Sequence, residues 1–261
     1  MSCSFPPEIF DLIIEYLYND PTALKACCLV SRSWVPRTRK YLFADIRFHG
    51  GNSTIRSWME TFPDPSNSPA HHTRHLRIRE PLPGKSAWIR SFHHVKKLLV
   101  SASDRGTGET SLVVLHGLSP TIRSFHLVHS SIPPSEIFNL ICSFPLLEDL
   151  AIRCRKGKGD IDGWVAPLTS PKFTGTLHLI EDIHSTALLL LALPGGLHFT
   201  KIVIQLSVGD AGSMTDLVSR CSDTLESLCV DYISLRAFPS VLEVYRYLTA
   251  GGWACQECRL R

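Results

Sequence analysis

A short pattern of apolar positions recurs along the chain from residue 71 onward. Each copy has the form apolar-x-x-apolar-x-apolar, although the first apolar position is lost in some copies. The inner pairs are Leu76/Ile78, Leu98/Val100, Phe125/Leu127, Leu150/Ile152, Leu177/Leu179, Ile202/Ile204 and Leu228/Val230. Alternation of apolar with other residues is typical of strands buried on one side, so each copy predicts a short β-strand.

Helical patterns fill the gaps between these predicted strands. Residues 135–144 and 213–221 carry apolar side chains at helical spacing, and Ser213 is placed to cap the second of these helices. Residues 86–95 and 186–193 are further candidates. The strands recur about every 25 residues, which lies within the range of leucine-rich repeats. We therefore expect an α/β fold in which residues 73–247 stack as a solenoid with a parallel sheet.

Two features set limits on this expectation. The asparagine that often follows the strand in leucine-rich repeats is absent here, so no ladder of side chains is expected and the stack is expected to be irregular. Residues 248–261 do not continue the pattern and form an atypical tail. An ordinary α/β domain with strands at similar spacing is the alternative to a solenoid.

The first fifty residues predict three short helices. The first begins at Pro6 and Pro7, and its apolar residues fall on one stripe. The stripe consists of Ile9, Leu12, Ile13, Tyr16 and Leu17. Asp20 is placed to cap the second helix, which is apolar nearly all round, and the third covers roughly residues 35–42. Because so small a module has little core to offer, some of this apolar surface is expected to meet another protein.

The same region carries a resemblance to a known family. The positions that match are Phe5 to Phe10, Ile13, Tyr16, Leu17, Ala23, Leu24, Leu29 to Trp34, Leu42 and Phe43. This pattern resembles an F-box, and it is most similar to the fungal F-box proteins. Phe5 stands where leucine is usual in that family, and Ser31 stands where cysteine is common.

The resemblance implies a substrate receptor of an SCF-type cullin–RING ubiquitin ligase, which directs bound proteins to degradation. Residues 1–48 would form the F-box-like module, and residues 49–72 a linker helix and loop. The module would dock a Skp-type adaptor and, through it, a cullin. The residues implied to face the adaptor or to support the docking surface are Pro6, Ile9, Ile13, Leu17, Leu24, Leu29, Val30 and Trp34. The alternative is a plain three-helix cap on the following domain, with the same residues as its core.

If the repeats form, the residue between each inner apolar pair points away from the core. These residues are Arg77, Leu99, His126, Ala151, His178, Val203 and Cys229. Together with the positions before each pair, they are expected to line a face that binds a protein substrate. The candidate substrate-binding residues are Arg77, Lys97, Leu99, His126 and His178. Arg and Lys on such a face favour an acidic or phosphorylated segment.

Charge adds one feature to this picture. The formal net charge of +3 does not argue for nucleic acid or a membrane surface, and neither is expected as a partner. Basic residues are concentrated between His71 and Lys97, where Glu80 is the only acid. This basic stretch is either a solvated face or a docking patch for an acidic partner.

The sequence shows no sign of catalysis. It has no secretory signal and no apolar run long enough to span a bilayer, so the nine cysteines are expected to be free thiols in the cytoplasm, the nucleus or both. No catalytic motif is found, and no cofactor or metal centre is expected, because Cys255-x-x-Cys258 lacks a second pair of ligands. We therefore expect a substrate receptor. A non-catalytic repeat scaffold that works without a ubiquitin ligase is the alternative.

Overall fold

The computed structural model describes residues 6–49, 53–79, 87–101, 112–118, 120–129, 132–154, 164–181, 183–206, 211–232 and 257–260. Within these residues the chain has an α/β fold with one nine-stranded sheet. The strands are β1 (Asp45–Phe48), β2 (His75–Ile78), β3 (Lys97–Ser101), β4 (Ser124–His129), β5 (Asp149–Cys154), β6 (Thr176–Glu181), β7 (Lys201–Leu206), β8 (Ser227–Tyr232) and β9 (Glu257–Leu260). The α-helices are α1 (Pro7–Tyr16), α2 (Pro21–Val30), α3 (Val35–Leu42), α4 (Ser53–Thr61), α5 (Pro134–Cys142), α6 (Ile183–Leu191) and α7 (Ala211–Arg220). Short 3-10 helices lie at Pro65–Asn67, Pro69–His72, Ala87–Ser91 and Leu112–Gly117.

Every strand of the sheet is parallel to its neighbours, and the strands lie side by side in chain order. The inner apolar pairs of the sequence pattern align across it, so that Leu76 pairs with Leu98 and Leu98 with Phe125. These side chains are fully buried, because they point to the side of the sheet that the helices cover. The predicted α/β fold with parallel strands at the repeated pattern is confirmed.

The sheet extends beyond residues 73–247 at both ends. Ile46 of β1 aligns with Leu76, and Cys258 of β9 aligns with Leu228. Each outer strand lies about 30 residues from its neighbour along the sequence, farther than the typical spacing of the inner copies. The part of the predicted atypical tail that the structure describes therefore continues the sheet.

A ladder of backbone hydrogen bonds links successive strands just before they begin. The carbonyl of Arg74 accepts the amides of Lys96 and Lys97 at 2.8 and 3.0 Å, and that of Lys96 accepts the amides of Arg123 and Ser124 at the same distances. The same arrangement recurs at the carbonyls of Ala44, Arg123, Gly175 and Thr200. Because these bonds use only main-chain atoms, the strands keep their register without a ladder of asparagine side chains.

One step of this ladder differs, at the carbonyl of Glu148. It accepts the amide of Gly175, whereas the amide of Thr176 donates to the Asp149 carboxylate at 2.7 Å. A Cβ atom at position 175 would clash with that carboxylate oxygen. Because Gly175 has no Cβ, the Asp149 carboxylate has room to accept the Thr176 amide in place of the Glu148 carbonyl.

The helices beside the sheet lie near their predicted positions, with shifted ends. α5 and α6 begin earlier than predicted, and the described residues 87–95 contain the 3-10 helix Ala87–Ser91 in place of the predicted α-helix. The predicted role of Ser213 is wrong: α7 begins at Ala211, so Ser213 lies inside its first turn. Its buried hydroxyl contacts His184 Nδ1 on α6, because α6 and α7 pack side by side.

The apolar interior has two parts. One continuous cluster of buried side chains runs from Ile46 to Val230. The buried apolar residues of α1 and α2 are Ile14, Leu24 and Cys27, and they lie outside that cluster. The N-terminal helices, which are α1, α2 and α3, therefore have a small core of their own.

Candidate functional site

Most of the apolar side chains of α1 face solvent. Ile9, Leu12, Ile13 and Tyr16 are 41, 62, 44 and 88% exposed. The other side of the helix holds it in place, because Ile14 is buried and the ring of Phe10 lies 5.1 Å from that of Trp34. The apolar stripe of the sequence thus forms on α1, and most of it points into solvent.

The N-terminal cap predicted for α2 is confirmed. The Asp20 carboxylate accepts the amides of Thr22 and Ala23, each at 3.0 Å, and Pro21 occupies the first turn. This cap satisfies two amides that have no partner inside the helix. It therefore fixes where α2 begins.

The end of α2 is also exposed and apolar. Leu29 and Val30 are 88 and 66% exposed, although leucine and valine favour burial. Leu24 and Cys27 on the same helix are buried. We call the large exposed apolar side chains of α1 and α2 the exposed helical residues: Ile9, Leu12, Ile13, Tyr16, Leu29 and Val30.

α3 holds the other two helices and joins them to the sheet. Arg37 Nε lies 3.5 Å from Asp11 Oδ1 on α1, and the Thr38 hydroxyl donates to the carbonyl of Trp34 at 2.8 Å. α3 packs against α2 and contacts the 3-10 helix Pro69–His72, which precedes β2. These contacts of α3 hold α1 and α2 in place, so the exposed helical residues have a defined position.

A shallow groove of about 690 Å³ opens beside α1 and α3. It is lined by Leu12, Glu15, Tyr16, Tyr18, Asn19 and Tyr41. Tyrosine combines a large apolar ring with a polar tip, which suits it to protein interfaces. The groove thus extends the apolar surface of α1 with groups that can also form hydrogen bonds.

The eight residues that the F-box resemblance implies fall into three groups. Pro6, Ile9, Ile13, Leu29 and Val30 are exposed, whereas Leu17 and Trp34 are partly buried. Leu24 is 1% exposed, so contact with an adaptor is excluded for it in this conformation and it can only support the surface from inside. Leu24 thus occupies the supporting position that the resemblance also allowed.

The eight implied docking residues leave out other exposed apolar residues. Leu12 and Tyr16 belong to the apolar stripe of the first helix, and this stripe was the signal that could have added them. Tyr18 is 59% exposed and lies in the turn after α1, where no helical pattern could reveal it.

The sheet turns its other side, which we call the open face, away from the helices. On this face Arg77 pairs with Leu99, Leu99 with His126, and the row continues through Ala151 and His178. Successive side chains of a strand point to opposite faces, so these residues are only partly buried whereas the inner pairs are fully buried. The open face also carries Lys97, so the candidate substrate-binding residues Arg77, Lys97, Leu99, His126 and His178 share one surface. Their binding role stays a prediction.

Arg77 is a paired cation. Its Nη2 lies 3.1 Å from Asp45 Oδ2, and the Arg47 guanidinium donates to the same carboxylate at 3.2 Å. Partial burial raises the pKa of Asp45, but the hydrogen bond from Arg47 and the charges of Arg77, Arg47 and His75 outweigh it, so the net pKa is lowered. Asp45 therefore stays ionised and cancels part of the positive charge at this end of the open face.

The open face has a notch at Ala151. This residue on β5 lies between His126 on β4 and His178 on β6. Because neighbouring strands lie about 4.8 Å apart, the two histidines stand about 10 Å apart with only a methyl group between them. Burial lowers the pKa of His126, and the charges of Lys97 and His178 lower it further against the opposing charge of Asp149. His126 is thus uncharged at neutral pH.

The basic stretch of the sequence does not form one surface. Arg74 and Lys96 lie just before β2 and β3, at the edge of the sheet where the strands begin, whereas Arg77 and Lys97 lie on the open face. Residues 80–86 lie outside the described residues. The cations of this stretch therefore form two separate sets, one at the edge of the sheet and one on the open face.

No group of three His, Cys, Asp or Glu side chains among the described residues could hold a metal ion, and Cys255 lies outside them. Burial raises the pKa of the Cys142 thiol, and that of the Cys221 thiol, to about 11, so neither is a thiolate at neutral pH. No helix in the described part of the chain has the length and apolar character needed to cross a membrane.

Comparison with known proteins assigns neither a family nor a function to the chain. No family model matches the chain, and no curated protein matches it. Function must therefore be inferred from the surfaces described above.

Proposed function

We propose that the chain is the substrate-recognition subunit of an SCF-type cullin–RING ubiquitin ligase. In this role, α1, α2 and α3 act as an F-box that docks a Skp-type adaptor, which a cullin holds in turn. The open face of the leucine-rich-repeat-like sheet binds a protein substrate. The observation that carries the proposal is the set of exposed helical residues, all of which except Leu12 belong to the F-box-like sequence pattern.

The free energy of burial supports docking at these helices. Full burial of one large apolar side chain is worth roughly 1.5–3 kcal/mol, so six such residues offer a partner a substantial gain. Helices that present apolar side chains to a groove are a recurring mode of protein recognition. A plain three-helix cap would instead bury these residues against the sheet, yet Leu29 is 88% exposed.

The open face supports the second half of the proposal. It is a row of partly buried side chains on consecutive strands, which offers a partner contacts at regular intervals. His126 and His178 flank the notch at Ala151, and the charge of Lys97 acts on His126. A carboxylate or phosphate group of a substrate would find hydrogen-bond donors there. In this role the chain binds and positions a substrate, and other subunits transfer ubiquitin. The role implies a location in the cytoplasm, the nucleus or both.

Charge placed at the end of α2 tests the proposal. We expect Leu29→Glu or Val30→Glu to weaken binding to a purified Skp-type adaptor by roughly a hundredfold, measured by calorimetry on the full chain. Leu17 is a poorer choice, because it is partly buried and a charge there would also disturb α1. The matched control is Leu168→Glu, since Leu168 is 98% exposed and lies far along the chain from the helices. This control should bind like the unchanged protein.

Two results would contradict the proposal. If the adaptor bound both α2 variants as tightly as the unchanged chain, the docking surface would lie elsewhere. If the unchanged chain did not bind a Skp-type adaptor at all, the open face would still support the second candidate function, a repeat-built scaffold that works without a ubiquitin ligase.

A further inference from the structure

Cations and histidines converge at the edge of the sheet where β2 and β3 begin. We call this group the basic edge. It consists of Arg39 and Lys40 on α3, His71 and His72 in the 3-10 helix Pro69–His72, Arg74 before β2, and His93, His94 and Lys96 before β3. The sequence pattern joined only some of these residues, because α3 lies about thirty residues earlier in the chain and reaches the edge only through the fold.

Short contacts hold the basic edge together. The Lys96 amide donates to the carbonyl of Arg74 at 2.8 Å, so their main chains are direct neighbours. The ring centroids of His71 and His72 lie 3.9 Å apart, and those of His93 and His94 lie 4.4 Å apart. All eight residues are exposed except His72, which is partly buried.

The positive charges of the basic edge act on one another. Burial lowers the pKa of His72, and the charges of His71, Arg39, Lys40 and Arg74 lower it further. Burial also lowers the pKa of His94, with added effects from His93, Arg74 and His71. Both histidines are therefore uncharged at neutral pH, and their electrostatic neighbours are all basic.

Within the part of the chain that the structure describes, no acidic side chain pairs with a cation of the basic edge. The ion pairs found within the described residues involve Arg37, Arg47, Arg77 and Arg123, and none involves Arg39, Lys40, Arg74 or Lys96. Like charges held this close repel one another, and a bound anion relieves that repulsion.

We propose that the basic edge binds an acidic segment of a partner polypeptide through its carboxylate or phosphate groups. Arg and Lys donate strong, charge-assisted hydrogen bonds to such groups. The proposal does not rest on the adaptor role, because no residue of the basic edge belongs to the exposed helical residues. It also concerns a different surface from the open face.

The size of the basic edge favours a polypeptide over a nucleic acid. Arg74 and Lys96 lie just before neighbouring strands, which are about 4.8 Å apart, so the array of contacts is short. Four permanent cations suit a segment with a few carboxylates, whereas nucleic-acid binders commonly neutralise about six to ten phosphates. The low net charge of +3 also favours a polypeptide over a nucleic acid as the partner.

Binding should strengthen as the pH falls toward about 6. A bound carboxylate favours the protonated forms of His72 and His94, so the complex takes up protons that the free protein does not hold. Glutamate side chains stay ionised in this range, since their pKa is about 4.3, and a glutamate peptide therefore isolates the contribution of the histidines.

The probe is a fluorescein-labelled peptide of alternating glutamate and serine, titrated with the full chain and followed by anisotropy. We expect Arg74→Glu/Lys96→Glu to weaken binding roughly tenfold or more, because each change replaces an attraction with a repulsion. The matched control is Lys172→Glu/Arg220→Glu, which changes the net charge equally at exposed positions elsewhere. It should leave binding within about twofold of the unchanged chain.

Further variants keep the test decisive. Arg74→Gln/Lys96→Gln removes the charges without reversing them and should lose part of the affinity even if the reversed pair folds poorly. His72→Gln/His94→Gln should gain less affinity for the peptide as the pH falls than the unchanged chain does. Equal losses in the control pair would overturn the proposal, because they would show a response to net charge alone. Tighter binding of a single-stranded DNA of equal charge would overturn it in favour of a nucleic-acid partner.

Discussion

The N-terminal helices and the sheet use apolar residues in opposite ways. In the sheet, every inner pair meets the pair of the next repeat on each side, so those side chains are covered and the face toward solvent is mostly polar. In the helices, Ile14, Leu24 and Cys27 are buried, yet six larger side chains remain exposed. The difference shows that burial in this chain depends on having a neighbouring repeat, which the helices lack.

The sheet core is where a single substitution should do the most damage. Phe125 is fully buried, and its ring lies 5.8 Å from that of Phe144. Phe125→Ala should lower the free energy of unfolding by about 3–5 kcal/mol, because it leaves a cavity among close-packed residues. Urea denaturation measures the change.

Val128 on the same strand provides the control for this substitution. It is 37% exposed, so Val128→Ala should change the free energy of unfolding by about 0.5 kcal/mol or less. If Val128→Ala were as damaging as Phe125→Ala, the open face would be covered in the folded protein.

The contrast inside α2 is the next largest effect. Leu24→Ala should lower the free energy of unfolding of the helices by about 2–3 kcal/mol, whereas Leu29→Ala should change it by about 0.5 kcal/mol or less. Helical circular dichroism in urea reads both changes. If both variants lost the same free energy of unfolding, Leu29 would be packed in the free protein. The exposure on which the proposed adaptor docking depends would then be contradicted.

The cap of α2 should contribute less than its core. Asp20→Ala leaves the amides of Thr22 and Ala23 without their acceptor, so the free energy of unfolding should fall by about 1 kcal/mol. Asp20→Asn keeps an acceptor oxygen and should restore most of the loss. Hydrogen exchange at the first turn of α2 reports the change directly, and unchanged exchange in Asp20→Ala would contradict the cap.

The ion pair at the first strand of the sheet should contribute least. The pKa of Asp45 is lowered in the folded protein, so its contribution to stability is present above about pH 4 and is lost as the pH falls through the folded-state pKa. Because the pair is partly exposed, Asp45→Asn should lower the free energy of unfolding at pH 7 by only a few tenths of a kcal/mol. The difference from the unchanged chain should vanish in acid. A difference that persisted at low pH would show that the ion pair is not its cause.

Sequence reasoning recovered the repeated strands because their signal is local. Apolar residues two positions apart fix one buried face, and the spacing of the copies fixes which strand follows which. The outer strands were missed because their longer connections break the spacing, although Ile46 and Phe48 carry the same inner pair. Cys258 is similarly a position of the strand pattern, because it aligns with Leu228.

The candidate surfaces were harder to predict, because exposure is a property of the assembled fold. The periodicity of α1 and α2 shows which residues share a face, but it does not show which face is covered, so Leu24 and Leu29 look alike in sequence. The sequence also does not show that Arg77 is paired, because its partner Asp45 lies on another strand. Convergence of α3 with the sheet edge likewise depends on packing between distant segments.

The main-chain ladder makes the length of the open face adjustable. Every carbonyl in it except that of Glu148 accepts two amides, so a whole repeat could be duplicated or deleted with most of the remaining main-chain contacts kept. A gene that lost residues 150–176 would join Asp149 to Leu177 and set His178 directly beside His126, closing the gap at Ala151. Evolution can therefore change the size of the open face by changing the number of repeats, independently of which side chains each repeat displays.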